Sequence, residues 1–240
     1  MSDAGERPDG RRSRWDEHKL ERRALILDSA ISVIEESPPD AEIHVQQIAE
    51  RAGLGRPVLY RHFTDRADLD QAVQTRILDS LRARLSPQVV LAGTVDEIIV
   101  RIVSTYVEWA AEHPNLHRVA AQDFATTGRS SPFQSAVESV AGELFGLVSL
   151  GVDVLGIEVE DDDRAGLELL VAGIVGMAVS AVRGWLARPQ QVPDATRFAR
   201  LISDTVWYLI DGHTRVRGVT IDPDLPLEDL VEAAWTAPRT

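Results

Sequence analysis

The chain has 240 residues, 44% of them apolar, no cysteine and a formal net charge of −13. That length supports one large domain or two smaller ones with cores of their own. The lack of cysteine excludes a disulfide framework, a thiolate metal site and a thiol nucleophile, and it fits a reducing cytoplasm.

Residues 1–14 are polar, mix both charge signs and contain Gly and Pro. They read as a disordered arm, with no apolar segment of the signal-peptide kind. From about Trp15 the pattern turns helical, with Leu20, Ala24, Leu27, Ile31 and Ile34 as one apolar face, until Pro38-Pro39 ends it. Two short helices follow, then a longer one over about 66–85, stopped by Ser86-Pro87. Thr94-Val95-Asp96-Glu97 is a capping box that opens a helix carrying Ile98, Ile102, Tyr106 and Trp109 in step. A short helix over about 115–123 is expected after His113-Pro114. Three long ones are expected at roughly 133–155, 163–187 and 195–216, and a last short one at 227–235. No segment alternates with the period of a strand. The fold class is all-α with about ten helices, divided into a small N-terminal domain over 15–66 and a larger helical domain over 67–240. The longest uncharged apolar run, Leu169–Val182, is too short to span a bilayer and meets Arg183, so no membrane association is expected.

An acidic chain is a poor general partner for phosphate, so the distribution of charge matters more than its sum. The first 66 residues carry 11 Lys/Arg against 13 Asp/Glu, and the remainder 14 against 25. Within 51–66 the balance reverses: Arg51, Arg56, Arg61 and Arg66 stand against Asp65 alone. Only this local face is suited to a duplex.

That face lies in HVQQIAERAGLGRPVLYRHFTDR, residues 44–66. Val45, Ile48 and Ala49 give one apolar side of a two-turn helix. Gly53 stands where a left-handed residue ends it, and Leu54 plugs the turn. Gly55 is placed as the next N-cap and Pro57 within the first turn, where its missing N–H costs nothing. Leu59 and Phe63 face inward, which leaves Arg56, Pro57, Tyr60 and Arg61 outward on a reading helix that runs to Phe63. A helix fits the major groove, where arginine reads guanine bidentately and tyrosine holds phosphate. Two short core helices joined by a glycine turn would share the apolar spacing. The outward Arg/Tyr set favours DNA.

Ile48-Ala49, Ala52-Gly53-Leu54, Leu59-Tyr60-Arg61-His62-Phe63 and Arg66 together resemble the N-terminal domain of TetR-family regulators, over about residues 24–70. His44 and Gly55 depart from the Ser or Thr caps frequent there, weakening each cap by up to ~1 kcal/mol, less for Gly. The resemblance implies that Arg56, Pro57 and Arg61 face bases, that Tyr60, His62 and Arg66 face phosphates, and that Gln46 or Gln47 lies near the backbone crossing. Arg11, Arg12 and Arg14 would enter the minor groove as an arm, or serve as a solubilising tail.

The same resemblance implies a homodimer formed through the last two long helices. Gly173, Gly176, Ser180 and Gly184 line one side of the helix at 163–187, where each interior glycine costs up to ~1 kcal/mol and so calls for a packing reason. Close packing within one chain is the other explanation. The helices before it are expected to enclose an effector site, with Tyr106, Trp109, Phe124, Phe133, Phe145 and Met177 as candidate lining. Any one of these is also an ordinary core residue. His113 and His117 have the spacing of a helical metal pair, but Pro114 makes His113 a cap and no third ligand is evident. No metal or cofactor is therefore expected. The sequence thus points to a cytoplasmic dimeric regulator, a repressor, whose partners are double-stranded DNA and a small apolar effector. The rivals are an all-helical enzyme, for which no Gly-rich phosphate loop or nucleophile elbow is found, and a binding or adaptor protein without DNA recognition.

Overall fold

The computed structural model describes residues 10–38, 41–122, 131–154, 160–216, 218–227 and 229, with side chains from residue 17 onward except at 154 and 161. Nine α-helices are present among them and no strand: α1 Gly10–Glu36, α2 Val45–Arg51, α3 Arg56–Leu59, α4 Arg66–Leu85, α5 Val95–Glu112, α6 Pro114–Ala120, α7 Pro132–Val154, α8 Asp161–Leu186 and α9 Ala195–Val216. A 3₁₀ turn, Ser86–Gln88, follows α4. The all-α expectation holds; Phe124 and most of the helix expected at 227–235 lie outside the described residues. The chain divides into two compact units, 1–77 and 78–240, with the division inside α4.

In the first unit α1 packs on α2, and α2 on α3. Two expectations for α1 need correction. Its helical backbone begins at Gly10, so Arg11, Arg12 and Arg14 sit on helix and not in an irregular arm. The buried face is also rotated: Ile26, Ala30, Val33 and Ile34 enter the core, while Leu20 is 68% exposed and Ala24 is open to solvent. A stripe chosen by periodicity alone runs into the N-terminal turns, where no neighbour covers it. Leu59, Phe63, Leu69, Val73 and Ile77 complete this core. Each fully buried large side chain stabilises the unit by roughly 1.5–3 kcal/mol.

The second unit is built on α5, which packs chiefly against α9 and also touches α6 and α8. Its start follows the sequence closely: Thr94 Oγ1 accepts from the Glu97 N–H at 3.2 Å and Glu97 Oε2 accepts from the Thr94 N–H at 2.9 Å. Ile98, Ile99, Val103, Val107, Trp109 and Ala110 form the buried face. Arg101 ties the preceding loop down by donating to the carbonyls of Gln88, Val90 and Ala92. Trp185, near the end of α8, stacks on Phe198 of α9 at 5.1 Å and donates to the Pro193 carbonyl at 2.8 Å.

Helices α7 and α8 pair with one another. Among the described residues they are the two helices long and apolar enough, by length and composition, to cross a membrane, and little of either is buried. The apolar stretch of α8 therefore extends beyond the Leu169–Val182 run. Leu150, Leu169 and Leu170 stand open.

Candidate nucleic-acid interface

The turn between α2 and α3 closes as its glycine demands. Gly53 has φ +67°, its N–H reaches the Glu50 carbonyl at 3.0 Å, and the Leu54 N–H reaches that of Ala49 at 2.9 Å. This paired pattern satisfies the last carbonyls of α2 and turns the chain sharply. Gly55, extended at φ −78° and ψ 145°, caps α3, with Pro57 in the first turn. The N-terminus of α2 is better held than His44 suggests, because the Gln47 side chain reaches back and accepts from the His44 N–H at 2.7 Å.

The reading helix is shorter than expected. Regular α-helix ends at Leu59, and 60–62 continue as turns in which the Arg61, His62 and Phe63 N–H groups bond to Val58, Leu59 and Leu59. Four helical residues cannot persist alone. Two completely buried anchors, Leu59 and Phe63, hold them on the core. Outside that anchorage, Arg56, Pro57 and Arg61 are exposed and Tyr60 is half-buried. The Arg56 guanidinium lies 5.7 Å from the Tyr60 ring centroid. A cleft of about 400 Å³ runs beside them, lined by His44, Val45, Gln46, Arg56, Tyr60 and Arg66.

The family model described as "Bacterial regulatory proteins, tetR family" matches residues 26–73, the stretch that holds this turn and its anchors. Residues 26–73 therefore form a tetR-family domain. A regulator of helix-turn-helix type from Mycobacterium tuberculosis is 28% identical over 190 residues, covering 78% of this chain and 76% of that protein. A tetR-family transcriptional regulator from Streptomyces coelicolor superposes with a TM-score of 0.58 at 22% identity, over 90% of this chain and 89% of that one. FadR from Bacillus subtilis, solved with stearoyl-CoA, also superposes at 0.58, with 18% identity over 76% and 96%. These two solved structures establish the fold. The chain is accordingly a transcriptional regulator and not an enzyme.

Several side chains assigned to DNA have partners within the TetR-family head itself. Gln46 donates to Glu50 at 2.7 Å, and Gln47 is the cap already described. Arg66 reaches the Ile43 carbonyl and the Asp70 carboxylate, each at 2.8 Å. His62 is half-buried and its Nδ1 is enclosed without a partner. Burial holds its imidazole below the usual histidine range, and Lys19, Arg22 and Arg23 act in the same direction. At neutral pH it therefore offers a phosphate a hydrogen bond but no charge. Arg14 lies on α1, before the side chains begin to be described.

Sequence reasoning passed over Arg23. It donates to the His62 carbonyl at 2.7 Å and its guanidinium carbon lies 4.2 Å from the Phe63 ring centroid. The available signal was a cation three residues before Ile26, on the same side of α1 as a core position.

In the second unit, the candidate effector residues separate by burial. Trp109 is 4% exposed and belongs to the core, within ring contact of His113 and His117. Tyr106 shares a hydrogen bond of 2.9 Å with His117 Nε2. Phe133, Phe145 and Met177 are half-buried. Along α8, Gly173, Gly176, Ser180 and Gly184 are all exposed or half-exposed. A methyl added at any of the three glycines would meet nothing within 4 Å. Among the described residues, no group of three metal-ligating side chains occurs.

Proposed function

We propose that this chain is a cytoplasmic homodimeric repressor that binds a palindromic duplex through its first unit and releases it when a small apolar effector occupies the second. The observation that carries the reading is the surface of α3. Arg56, Pro57 and Arg61 are presented outward on a turn whose inward side chains, Leu59 and Phe63, are wholly committed to the core. Arg56 and Arg61 suit base edges in the major groove, and Tyr60 and His62, with Gln46 and Gln47 behind them, suit the flanking phosphates.

Pairing of two copies is supported by α8. Since the space around Gly173, Gly176 and Gly184 is open among the described residues, packing within them does not explain the glycines. A second helix approaching closely would, with Ser180 in the same stripe. Two heads related by a two-fold axis would read half-sites about one duplex turn, ~34 Å, apart. For the effector, Tyr106, Phe133, Phe145 and Met177 are the candidate lining, and FadR's complex with stearoyl-CoA supports a long apolar molecule. Such a ligand acts by preferring the conformation that does not hold DNA, with a coupling of ~1–3 kcal/mol felt equally at both sites.

The test starts from a duplex selected by the wild-type chain from a random-sequence pool. Its affinity should fall steeply with salt, and Tyr60→Ala with Arg61→Ala should abolish binding while the helical signal survives. Undiminished binding by that double variant refutes the placement of the reading surface. Titrating long-chain acyl ligands with and without the duplex tests the release step, and equal affinities in the two titrations reject it.

A further inference from the structure

We infer that Arg23 is a positioning residue for DNA recognition: from α1 it fixes the turn at 60–63 and so sets the direction in which Arg61 and Tyr60 are offered. The inference rests on the DNA-reading role proposed for α3. Regular helix covers only Arg56–Leu59, yet three of the residues assigned to DNA, Tyr60, Arg61 and His62, follow it in the turn. The turn after Leu59 is held by backbone bonds from Arg61, His62 and Phe63 back to Val58 and Leu59, none of which uses the His62 carbonyl. That carbonyl accepts from Arg23 Nη1 at 2.7 Å, a charge-assisted bond across 39 residues of sequence. The same guanidinium lies 4.2 Å from the centroid of the Phe63 ring, and Phe63 is 1% exposed. One side chain thus grips the backbone on one side of the 62–63 peptide and the anchoring ring on the other.

Its location separates this role from a phosphate contact. Arg23 is half-buried, whereas Lys19, one helical turn before it, and Arg22, beside it, are exposed. With its guanidinium committed to the His62 carbonyl and the Phe63 face, Arg23 is not the cation that meets the duplex. Removing it changes how well the head is aimed without changing how many phosphates are neutralised.

The experiment measures fluorescence anisotropy of the full chain with the duplex selected by the wild type, across a salt series, for Arg23→Lys, Arg23→Met and Arg23→Ala. Thermal melting and amide exchange are followed in parallel. Arg23→Met keeps a stem over Phe63 and lacks the donor, so it decides the matter if Arg23→Ala does not fold. The expected result is a loss of about tenfold or more in affinity for Met and Ala, recovery to within about threefold for Lys, and faster amide exchange confined to 60–63. The slope of log affinity against log salt should stay unchanged. Wild-type affinity in Arg23→Met overturns the inference. So does a slope reduced by about 0.9, the signature of one lost phosphate contact. Failure of the wild type to select any duplex would instead defeat the DNA-reading role on which the inference rests.

Discussion

The hydroxyl of Tyr106 and Nε2 of His117 lie 2.9 Å apart between α5 and α6, with His117 only 4% exposed. Burial pushes the imidazole down to about 4, and Arg183 adds to the effect, while burial holds the Tyr106 phenol above its ordinary range. The pair is therefore a neutral hydrogen bond at physiological pH.

A pH dependence of known sign results. The unfolded chain takes up a proton at His117 near pH 6.5, whereas the folded chain resists until about pH 4. Stability is therefore intact above pH 6.5 and falls between 6.5 and 4, by up to about 3 kcal/mol. Melting temperatures from pH 7.5 to 4.5 should drop more for the wild type than for His117→Gln, which keeps a partner for the phenol without titrating. Parallel curves would show that His117 does not titrate as argued.

Gly53 supplies the left-handed turn at φ +67°, and nothing lies within 4 Å of the methyl that alanine would add. The cost of Gly53→Ala is thus backbone strain alone, about 1–2 kcal/mol. Gly53→Asn should cost less, because asparagine tolerates this conformation. Urea unfolding of the two variants, compared with duplex affinity, should show both quantities falling in the same order.

Arg66 was expected at a phosphate, but its guanidinium bridges the Ile43 carbonyl and Asp70. Arg66→Ala should therefore destabilise the first unit by about 1 kcal/mol, a modest figure because the site is partly exposed. A lowered melting temperature with little change in the salt slope would agree. A reduced slope with unaltered melting would return Arg66 to the phosphate role.

At Gly176 the single chain and the proposed dimer make opposite demands. Open space around it means that alanine should raise helix stability, by up to ~1 kcal/mol, if no partner is present. A charged side chain there would break a close helix pair. Sedimentation velocity over a concentration series should show Gly176→Glu as a monomer and the wild type as a dimer. A dimeric Gly176→Glu removes α8 from the interface.

The features legible in the sequence were those that neighbouring residues decide among themselves. The Thr94–Glu97 box, the Gly53 turn and the bounds of α4 and α9 all rest on local chemistry, and the structure reproduces them. The buried face of α1 and the length of α3 depend on which other helix covers them. Periodicity therefore selected Leu20 and Ala24 where the core holds Ile26 and Ala30. Side-chain partnerships across long separations were equally hidden. No spacing rule connects Arg23 with His62, or Arg66 with Ile43. Trp109 looked like pocket lining for the same reason, since an aromatic on a helix face carries no mark of what packs against it.

Only 11% of the residues in the most apolar stretch of α8 are fully buried within the described part of the chain. On the dimer reading, folding of the second unit and association then become one equilibrium, governed by mass action. The melting temperature would climb with protein concentration, and dilution would act as a denaturant. The supply of working molecules would then rise more steeply than expression itself. Abundance would become a control on transcription, alongside whatever occupies the effector site.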